Sequence, residues 1–276
     1  MSENNSDKAK VRKTVPAIRS AKRSNGNDPL VMVTGYDYPA AQILDRAGVD
    51  IILVGDSLSN VVLGNKSTTD VSMDDMVHHV KAVANAQTIA LVVADLPWLS
   101  FHLNPENSIL NAAALVKAGA TAVKLEGGKK RSDHIKAIID AEIPVMGHIG
   151  LTPQSVNVFG GFKVQGKTES QAEALINDAI DLEKAGCFSI VLEAVPRNLA
   201  KTITDTIKIP TIGIGAGPDC DGQVIVFHDL LGFYPDKGAK FVRRYLDFAD
   251  LATEAINRFI GDVKSGNYPN DEESYH

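Results

Sequence analysis

The sequence lacks any long hydrophobic run and has few cysteines, and both features limit the kinds of protein that it can encode. No stretch of the 276 residues reaches the ~18 consecutive apolar residues of a membrane-spanning helix, so we expect no membrane partner. The cysteines, Cys187 and Cys220, have no metal-binding or redox spacing, which favours free thiols in a reducing compartment such as the cytoplasm. The start of the chain lacks the apolar core of a secretory signal, and a transit peptide is the alternative.

Most of the chain also lacks excess positive charge. Residues 1–23 carry seven Lys or Arg and two acidic residues, a net charge of +5, which leaves 21 basic and 32 acidic residues, a net charge of −11, for the remainder. A mildly acidic body disfavours nucleic acid as the main ligand, so we expect small-molecule ligands. Residues 1–10 are predicted to be a disordered extension, and residues 266–276 a polar tail.

A short motif that repeats three times predicts alternating helices and strands. Each copy is a basic residue followed by Ala-Gly, which suits a helix end because the cation complements the helix dipole and Gly adopts the left-handed conformation. The copies occupy 46–48, 117–119 and 184–186, and the apolar segments that follow are 51–54, 122–125 and 189–192. Each of these predicted strands leads to a carboxylate: Asp56, Glu126 or Glu193.

Further apolar segments raise the number of predicted strands to eight. The additional ones are 30–34, 89–94, 144–147, 210–214 and 224–227. Strands that are apolar along their whole length indicate a parallel sheet covered on both faces. We therefore predict an α/β fold, a single-domain (β/α)8 TIM barrel over residues 11–265 with a capping helix within 11–24; a doubly wound sheet is the alternative.

Three other segments have patterns of their own. Ser170-x-x-Glu173 followed by apolar residues at helical spacing predicts a capping box and a helix. Residues 240–264 are predicted to form an amphipathic helix. The polar, Gly-rich run from Gly150 to Gly166 has no periodic pattern, so we predict a loop without a helix.

Polar side chains stand where the predicted strands end, and in a barrel these ends converge on the face that carries the chemistry. They are Asp56, Asp95, Lys124, Glu126, His148 and Glu193. Four carboxylates in one closed site would repel one another unless a divalent cation neutralised them. Oxygen ligands favour Mg²⁺, and the absence of a Cys/His ligand cluster disfavours zinc.

Several of these residues have a structural alternative. Lys124 either pairs with an anionic substrate or forms a salt bridge with Glu126, and His148 either serves the site or satisfies backbone groups. Ser57 either belongs to the site or caps the next helix. The glycines at 213, 215 and 217 either hold an anion near the last strands or form a tight turn.

The motifs, in their order along the chain from about residue 15 onward, resemble the ketopantoate hydroxymethyltransferase family. The matching segments are 54–58 (Val-Gly-Asp-Ser-Leu), 94–97 (Ala-Asp-Leu-Pro), 123–128 (Val-Lys-Leu-Glu-Gly-Gly), 147–155 (Gly-His-Ile-Gly-Leu-Thr-Pro-Gln-Ser), 159–166, 191–196 and 212–217. The resemblance implies a Mg²⁺-dependent barrel that makes 2-dehydropantoate for pantothenate synthesis from 3-methyl-2-oxobutanoate and 5,10-methylenetetrahydrofolate. It also implies a homo-oligomer, commonly a decamer.

The resemblance assigns roles residue by residue. Asp56 and Asp95 match metal ligands, and Glu126 matches a third. Asp56, Ser57, Asp95 and Lys124 match contacts to the keto acid, and Glu193 matches the catalytic base. His148 has no matched role, and we consider it as an orienting or proton-relay group.

The chain departs from the family pattern between residues 59 and 75, where Gly-Asn-Lys-Ser-Thr-Thr-Asp occupies 64–70. No matched catalytic position is lost. Two other functions remain open from the sequence. One is a Mg²⁺-dependent oxo-acid lyase or mutase of the phosphoenolpyruvate mutase/isocitrate lyase type, and the other is a metabolite-binding barrel without catalysis.

Overall fold

A computed structural model describes residues 11–235 and 238–276 of the chain. The predicted disordered extension, residues 1–10, lies outside the described residues. The chain divides into two compact units, with the boundary between Ile225 and Val226. The first unit holds the whole barrel, and the described residues of the second form two α-helices and a short 3-10 helix, Asp271–Glu273.

Eight parallel strands close into a barrel in the order of the sequence, because β8 pairs back onto β1. The strands are β1 Leu30–Thr34, β2 Ile51–Val54, β3 Leu91–Asp95, β4 Ala122–Glu126, β5 Val145–Gly150, β6 Ser189–Glu193, β7 Thr211–Ile214 and β8 Gly222–Ile225. The predicted TIM barrel is confirmed. The predicted start of the last strand is displaced by two residues, whereas β2 is predicted to the residue.

Helices follow the strands as expected for βα units. In the first unit they are α1 Val15–Ser20, α2 Tyr38–Ala47, α3 Leu58–Val61, α4 Met73–Ala84, α5 Pro105–Lys117, α6 Ser132–Asp140, α7 Val156–Phe159, α8 Glu169–Ala185 and α9 Arg197–Thr206. In the second they are α10 Phe227–Leu231 and α11 Phe248–Ser265. Gly48 and Gly186 end α2 and α8 in the left-handed conformation, with φ of 85° and 103°, as the repeated motif predicts.

Three predictions about local structure are wrong in detail. The capping box of α8 is formed by Thr168 and Gln171, because a second Thr-x-x-Gln pattern lies nearer the end of the preceding loop than Ser170-x-x-Glu173. The segment predicted as a loop contains a 3-10 helix, Pro153–Ser155, and α7. The helix expected over 240–264 begins only at Phe248.

The barrel interior is apolar at the amino-terminal and middle levels of the strands. Alternate residues of each strand point inward, and Met32, Ile51, Val93 and Met146 belong to one buried cluster. Ile18 of α1 packs in the same cluster and is 1% exposed, so α1 closes one end of the barrel. Among the described residues, no helix is both long and apolar enough to cross a bilayer.

Candidate active site

The side chains that face the barrel interior change from apolar to charged at the carboxyl ends of the strands. In β3 the row of these side chains runs Leu91, Val93, Asp95, and in β4 it begins at Ala122 and continues through Lys124 to Glu126. The same period of two places His148 above Met146, and Glu193 above Val191. The predicted residues are thus brought together because they stand at or just beyond the carboxyl ends of adjacent strands, with Asp56 two residues after the end of β2.

Lys124, Asp95 and Asp56 form one connected group. The ammonium of Lys124 lies 2.9 Å from Asp95 Oδ1, and the backbone N–H of Asp56 donates to Asp95 Oδ2 at 3.0 Å. All three residues are at most 5% exposed. Lys124 therefore pairs with Asp95, and the salt bridge with Glu126 that we considered from the sequence is not its closest ion pair.

The group carries more negative than positive charge. Burial raises the pKa of Asp56 well above its usual value, and the charges of Asp95 and Glu126 raise it further. Burial disfavours the charge of Lys124, but the surrounding carboxylates, Asp95 first, outweigh it and raise the pKa of Lys124. One cation is therefore shared by several buried acids, which leaves the site with an affinity for additional positive charge.

His148 links two carboxylates. Its Nε2 lies 3.2 Å from Glu193 Oε2, and its Nδ1 lies 3.5 Å from Glu126 Oε1 and 3.3 Å from Lys124 Nζ. Burial and Lys124 lower the pKa of His148, but Glu126 and Glu193 raise it to about 9. A protonated ring presents N–H groups to both carboxylates, and a neutral ring that accepts from Lys124 carries its proton on Nε2. In both states Nε2–H faces Glu193, so the ring serves side chains of the site rather than backbone groups.

Ser57 occupies the N-cap position before α3, but its side chain makes no capping hydrogen bond. Its Oγ is 2.8 Å from the hydroxyl of Tyr36 instead. The structure therefore contradicts the capping role. Tyr36, which the sequence did not single out, is 2% exposed and orients Ser57 beside Asp56.

The glycines at 213, 215 and 217 have a structural role. Gly215 and Gly217 have φ of 63° and 81°, conformations that favour glycine. The carbonyl of Gly217 accepts from Gln223 Nε2 at 2.9 Å. These contacts support the tight turn rather than an anion site.

Gln154 is, with Tyr36, a residue of the site that our sequence reasoning missed. It lies in the 3-10 helix of the segment after β5, and its side-chain amide donates to Asp56 Oδ2 at 2.9 Å. The only signal in the sequence was its place in the motif that begins at Gly147. No pattern of spacing indicates that it contacts an acid 98 residues away.

The divergent segment 59–75 is held by its own hydrogen bonds. Ser59 Oγ donates to the carbonyl of Ser67 at 2.6 Å, and Asn60 Nδ2 donates to the carbonyl of Asn65 at 2.9 Å. Ser67 then caps a short 3-10 helix, Thr68–Asp70. The unusual residues thus form a closed loop beside α3.

Among residues 11–235 and 238–276, no three acidic, His or Cys side chains are arranged to enclose a metal ion by themselves. Mg²⁺ does not need such a cage, because it keeps several waters and binds through one or two carboxylates together with substrate oxygens. Asp56 and Asp95 supply such carboxylates, with Glu126 near them. The donor set suits a hard divalent cation that binds together with an anionic substrate.

Fold and site together define a TIM-barrel protein with buried acids, a lysine and a histidine–glutamate pair at the carboxyl ends of its strands. Solved structures with this fold include phosphonopyruvate hydrolase in complex with oxalate and Mg²⁺, with a TM-score of 0.60, 15% identity, and coverage of 95% of this chain and 93% of that one. Another is 2,3-dimethylmalate lyase, a member of the PEP mutase/isocitrate lyase superfamily, with a TM-score of 0.58, 17% identity, and coverage of 94% and 91%. Identities this low establish the shared fold only.

Residues 12–271 match the family model of ketopantoate hydroxymethyltransferase. The chain belongs to this family. It is 52% identical over 255 residues to the 3-methyl-2-oxobutanoate hydroxymethyltransferase of Koribacter versatilis, covering 92% of this chain and 86% of that protein. It is 50% identical over 266 residues to the enzyme of the same name from Clostridium beijerinckii, covering 96% of each. The predicted family and class of enzyme are confirmed.

Proposed function

We propose that this chain transfers a hydroxymethyl group from 5,10-methylenetetrahydrofolate to 3-methyl-2-oxobutanoate and so makes 2-dehydropantoate for pantothenate synthesis. The names of its relatives support the substrate and the reaction. The structural observation that carries the proposal is the pair of His148 and Glu193, 3.2 Å apart, beside buried Lys124 and Asp95. A new bond at C3 requires removal of a proton from a carbon next to a carbonyl, and this arrangement places a base beside an anion-binding group.

Lys124 would bind the carboxylate of the keto acid. Its ammonium lies within the buried group, 2.9 Å from Asp95 Oδ1, and burial makes its charge–charge interactions strong. Ser57 and the two aspartates would contact the remaining oxygens. The Tyr36 hydroxyl at 2.8 Å holds Ser57 in place for this contact.

Asp56 and Asp95 would hold Mg²⁺, with Glu126 as a third, outer contact. The fit rests on the excess of buried carboxylates and on the raised pKa of Asp56, because a dication stabilises the ionised acids. When bound, the ion would neutralise the substrate's carboxylate and polarise its keto group.

Glu193 would remove the C3 proton. Its side chain is 16% exposed, so it stands nearer the mouth of the site than Asp95. His148, whose Nε2 lies 3.2 Å from Glu193 Oε2, would orient the carboxylate. The C3 proton passes to Glu193, which becomes a neutral carboxyl group until it gives the proton to a nitrogen of the folate. The enolate carbon C3 then bonds to the one-carbon unit as the bonds of that unit to the folate nitrogens break. Water supplies the hydroxyl oxygen, and tetrahydrofolate leaves with two new N–H protons, one from C3 and one from the water.

A cavity of about 620 Å³ lies beside the ends of β4 and β5, and we assign it to the folate. Its wall includes Gly127 and Gly150, and Gly127 N–H donates to the carbonyl of His148 at 2.9 Å. Phe159 contributes an aromatic wall, and Asp178 a half-buried carboxylate that can accept from a pterin. The volume is within the usual range of small-molecule sites.

We also propose a homo-oligomer, with a decamer as the state that the resemblance implies, located in the cytoplasm. α11 presents large exposed apolar side chains on an amphipathic helix. They are Leu251, Ile256, Phe259, Ile260 and Val263. An apolar helix face of this size is typical of a surface that another subunit covers, and light scattering after gel filtration would measure the assembly.

The decisive assay supplies 3-methyl-2-oxobutanoate, tetrahydrofolate and formaldehyde and measures 2-dehydropantoate. We expect product only when all three compounds and Mg²⁺ are present. Formation of smaller fragments from other oxo acids, without folate, would favour a lyase instead. Binding of the keto acid with neither product nor hydrogen exchange at C3 would favour a barrel that only binds a metabolite.

A further inference from the structure

Gln154 occupies the centre of the site although it is not ionisable. It is 6% exposed and follows Pro153 in the 3-10 helix after β5. The start of this segment is anchored, because the backbone N–H of Leu151 donates to the carbonyl of Glu193 at 2.8 Å. The position of Gln154 is therefore set by β5 and β6 rather than by a mobile loop.

One residue restrains two acids, Asp56 after β2 and Glu126 at the end of β4. The Gln154 side-chain amide donates to Asp56 Oδ2 at 2.9 Å and to the carbonyl of Leu96 at 3.0 Å. Its backbone N–H donates to Glu126 Oε2 at 3.0 Å. Each carboxylate thus has one oxygen held by Gln154, which orients the other oxygen.

The same contacts determine which way the amide faces. Nε2 faces two acceptors, Asp56 Oδ2 and the Leu96 carbonyl. If the amide were turned so that its nitrogen and oxygen exchanged places, Oε1 would face both acceptors and neither hydrogen bond could form. Oε1 therefore lies on the opposite side. It is buried and has no hydrogen-bond partner among the described residues. A buried acceptor without a donor is unfavourable, which points to a donor that is not part of the chain.

We propose that Gln154 is a positioning residue for the divalent cation: it holds Asp56 by one oxygen and, through Oε1, accepts a hydrogen bond from a water of the cation's coordination shell. The inference rests on the proposed Mg²⁺ dependence. Mg²⁺ keeps several of its waters, and each bound water donates outward. Groups that orient metal ligands in this way typically change metal affinity or activity by about 10–100-fold.

Titration calorimetry with Mg²⁺ alone, on the full chain without keto acid or folate, tests the proposal. Gln154→Met keeps the length of the side chain and the backbone donor to Glu126 but removes the amide. We expect its Mg²⁺ affinity to fall by about 10–100-fold, and the KM for the keto acid to rise with it. Gln42→Met, on the exposed side of α2, is the matched control because the Gln42 side chain bonds the Tyr38 hydroxyl among described contacts, and it should bind Mg²⁺ as the unaltered chain does.

Gln154→Asn is the second variant, in case the first does not fold. Its amide is one methylene too short to reach both acceptors, so its Mg²⁺ affinity should also fall. Unchanged Mg²⁺ affinity in either folded variant, even with a lower melting temperature, would overturn the proposal and leave Gln154 a purely structural role. If the unaltered chain binds no Mg²⁺ by itself, the titrations are repeated with the keto acid present, because substrate oxygens complete the coordination of the ion. If the chelated, metal-free chain still forms 2-dehydropantoate, the metal part of the proposed function fails, and this inference fails with it.

Discussion

Two buried lysine–aspartate pairs lie at opposite ends of the barrel, with similar distances and different surroundings. Lys124 and Asp95 are 2.9 Å apart at the carboxyl end of the strands. Lys22 and Asp221 are 3.0 Å apart at the amino end, where Asp221 directly precedes β8. Both pairs are nearly removed from solvent, with side chains at most 8% exposed. Because the two pairs are buried to a similar extent, differences between them reflect the charges and hydrogen bonds of the neighbouring residues.

The pair at the amino end is satisfied. Asp221 also accepts from the backbone N–H groups of Arg23 and Thr211, both at 2.9 Å. Lys22 also donates to the carbonyl of Thr204. The charges of Lys22 and Asp221 balance, and both carboxylate oxygens of Asp221 accept hydrogen bonds. A buried ion pair needs this arrangement to be compatible with a stable fold.

The pair at the carboxyl end is left incomplete. Asp95 Oδ1 faces Lys124 but lacks a hydrogen bond of good geometry, and Gln154 Oε1 has no donor. Further carboxylates, those of Asp56 and Glu126, raise the local negative charge. Unbalanced charge and unsatisfied atoms in a buried place indicate a site that ligands complete. The same type of ion pair thus stabilises the fold at one end and prepares binding at the other.

Removing metal should have the largest effect and should act only at the carboxyl end. We expect EDTA to abolish activity and Mg²⁺ to restore it, because polarisation by the ion contributes several kcal/mol to the transition state. Asp95→Ala should bind Mg²⁺ poorly by calorimetry. Full activity of a chelated, metal-free enzyme would contradict the assignment.

Glu193→Gln should reduce enolisation by about 10²–10⁴-fold, the usual contribution of a general base. Binding of Mg²⁺ and keto acid should stay close to that of the unaltered chain, because Glu193 is not a proposed ligand. Exchange of the C3 hydrogen with deuterated water, followed by NMR without folate, measures the step directly. Glu173→Gln, on exposed α8, is the control. Unaltered exchange in Glu193→Gln would rule Glu193 out as the base, and His148 would be the next residue to test.

Asp221→Ala should lower the free energy of unfolding by about 3–5 kcal/mol, because it leaves Lys22 buried without its partner. Urea unfolding measures this loss. The folded fraction should keep the KM values of the unaltered chain, since the pair lies at the opposite end from the site. Asp205→Ala, which breaks the exposed Lys201–Asp205 pair, should change stability much less. A variant of Asp221 with normal stability would show that the comparison between the two ends is wrong.

Lys124→Ala should have the smallest of these effects, a loss of about 1.5–3 kcal/mol in keto-acid binding, the value of one charge-assisted hydrogen bond. The KM for the keto acid should rise, whereas the KM for folate should change little. Lys117→Ala, at the exposed end of α5, is the control. If KM and turnover are unchanged, Lys124 is a structural partner of Asp95, and the two ends of the barrel differ less than we infer.

The strand-end acids were predictable because they follow from local rules. A run of apolar residues that ends in Asp or Glu indicates a strand. It also indicates the position in that strand at which the side chains facing the barrel interior become polar. Asp95, Glu126 and Glu193 are each the last residue of their strand. The left-handed end of α8 at Gly186 follows from the same kind of local pattern.

Long-range contacts were not predictable, because no local pattern encodes them. Gln154 meets Asp56 across 98 residues, and Lys22 meets Asp221 across 199. Pairing between β8 and β1 closes the barrel and brings the start of the chain to Asp221. The partner of Lys124 was uncertain for a related reason. Glu126 stands two positions away on the same strand, but Asp95 lies directly beside Lys124 on the neighbouring one.

The amino-acid sequence by itself determined which polar residues lie at the carboxyl end of the barrel. This follows from the alternation of side chains along each strand and from the residue that ends the strand. Only the tertiary structure decided which of these charges are neutralised and which stay unsatisfied. That distinction depends on the register between strands and on the closure of the barrel. It separates Asp221, which is balanced and structural, from Asp56 and Asp95, which remain available to a ligand.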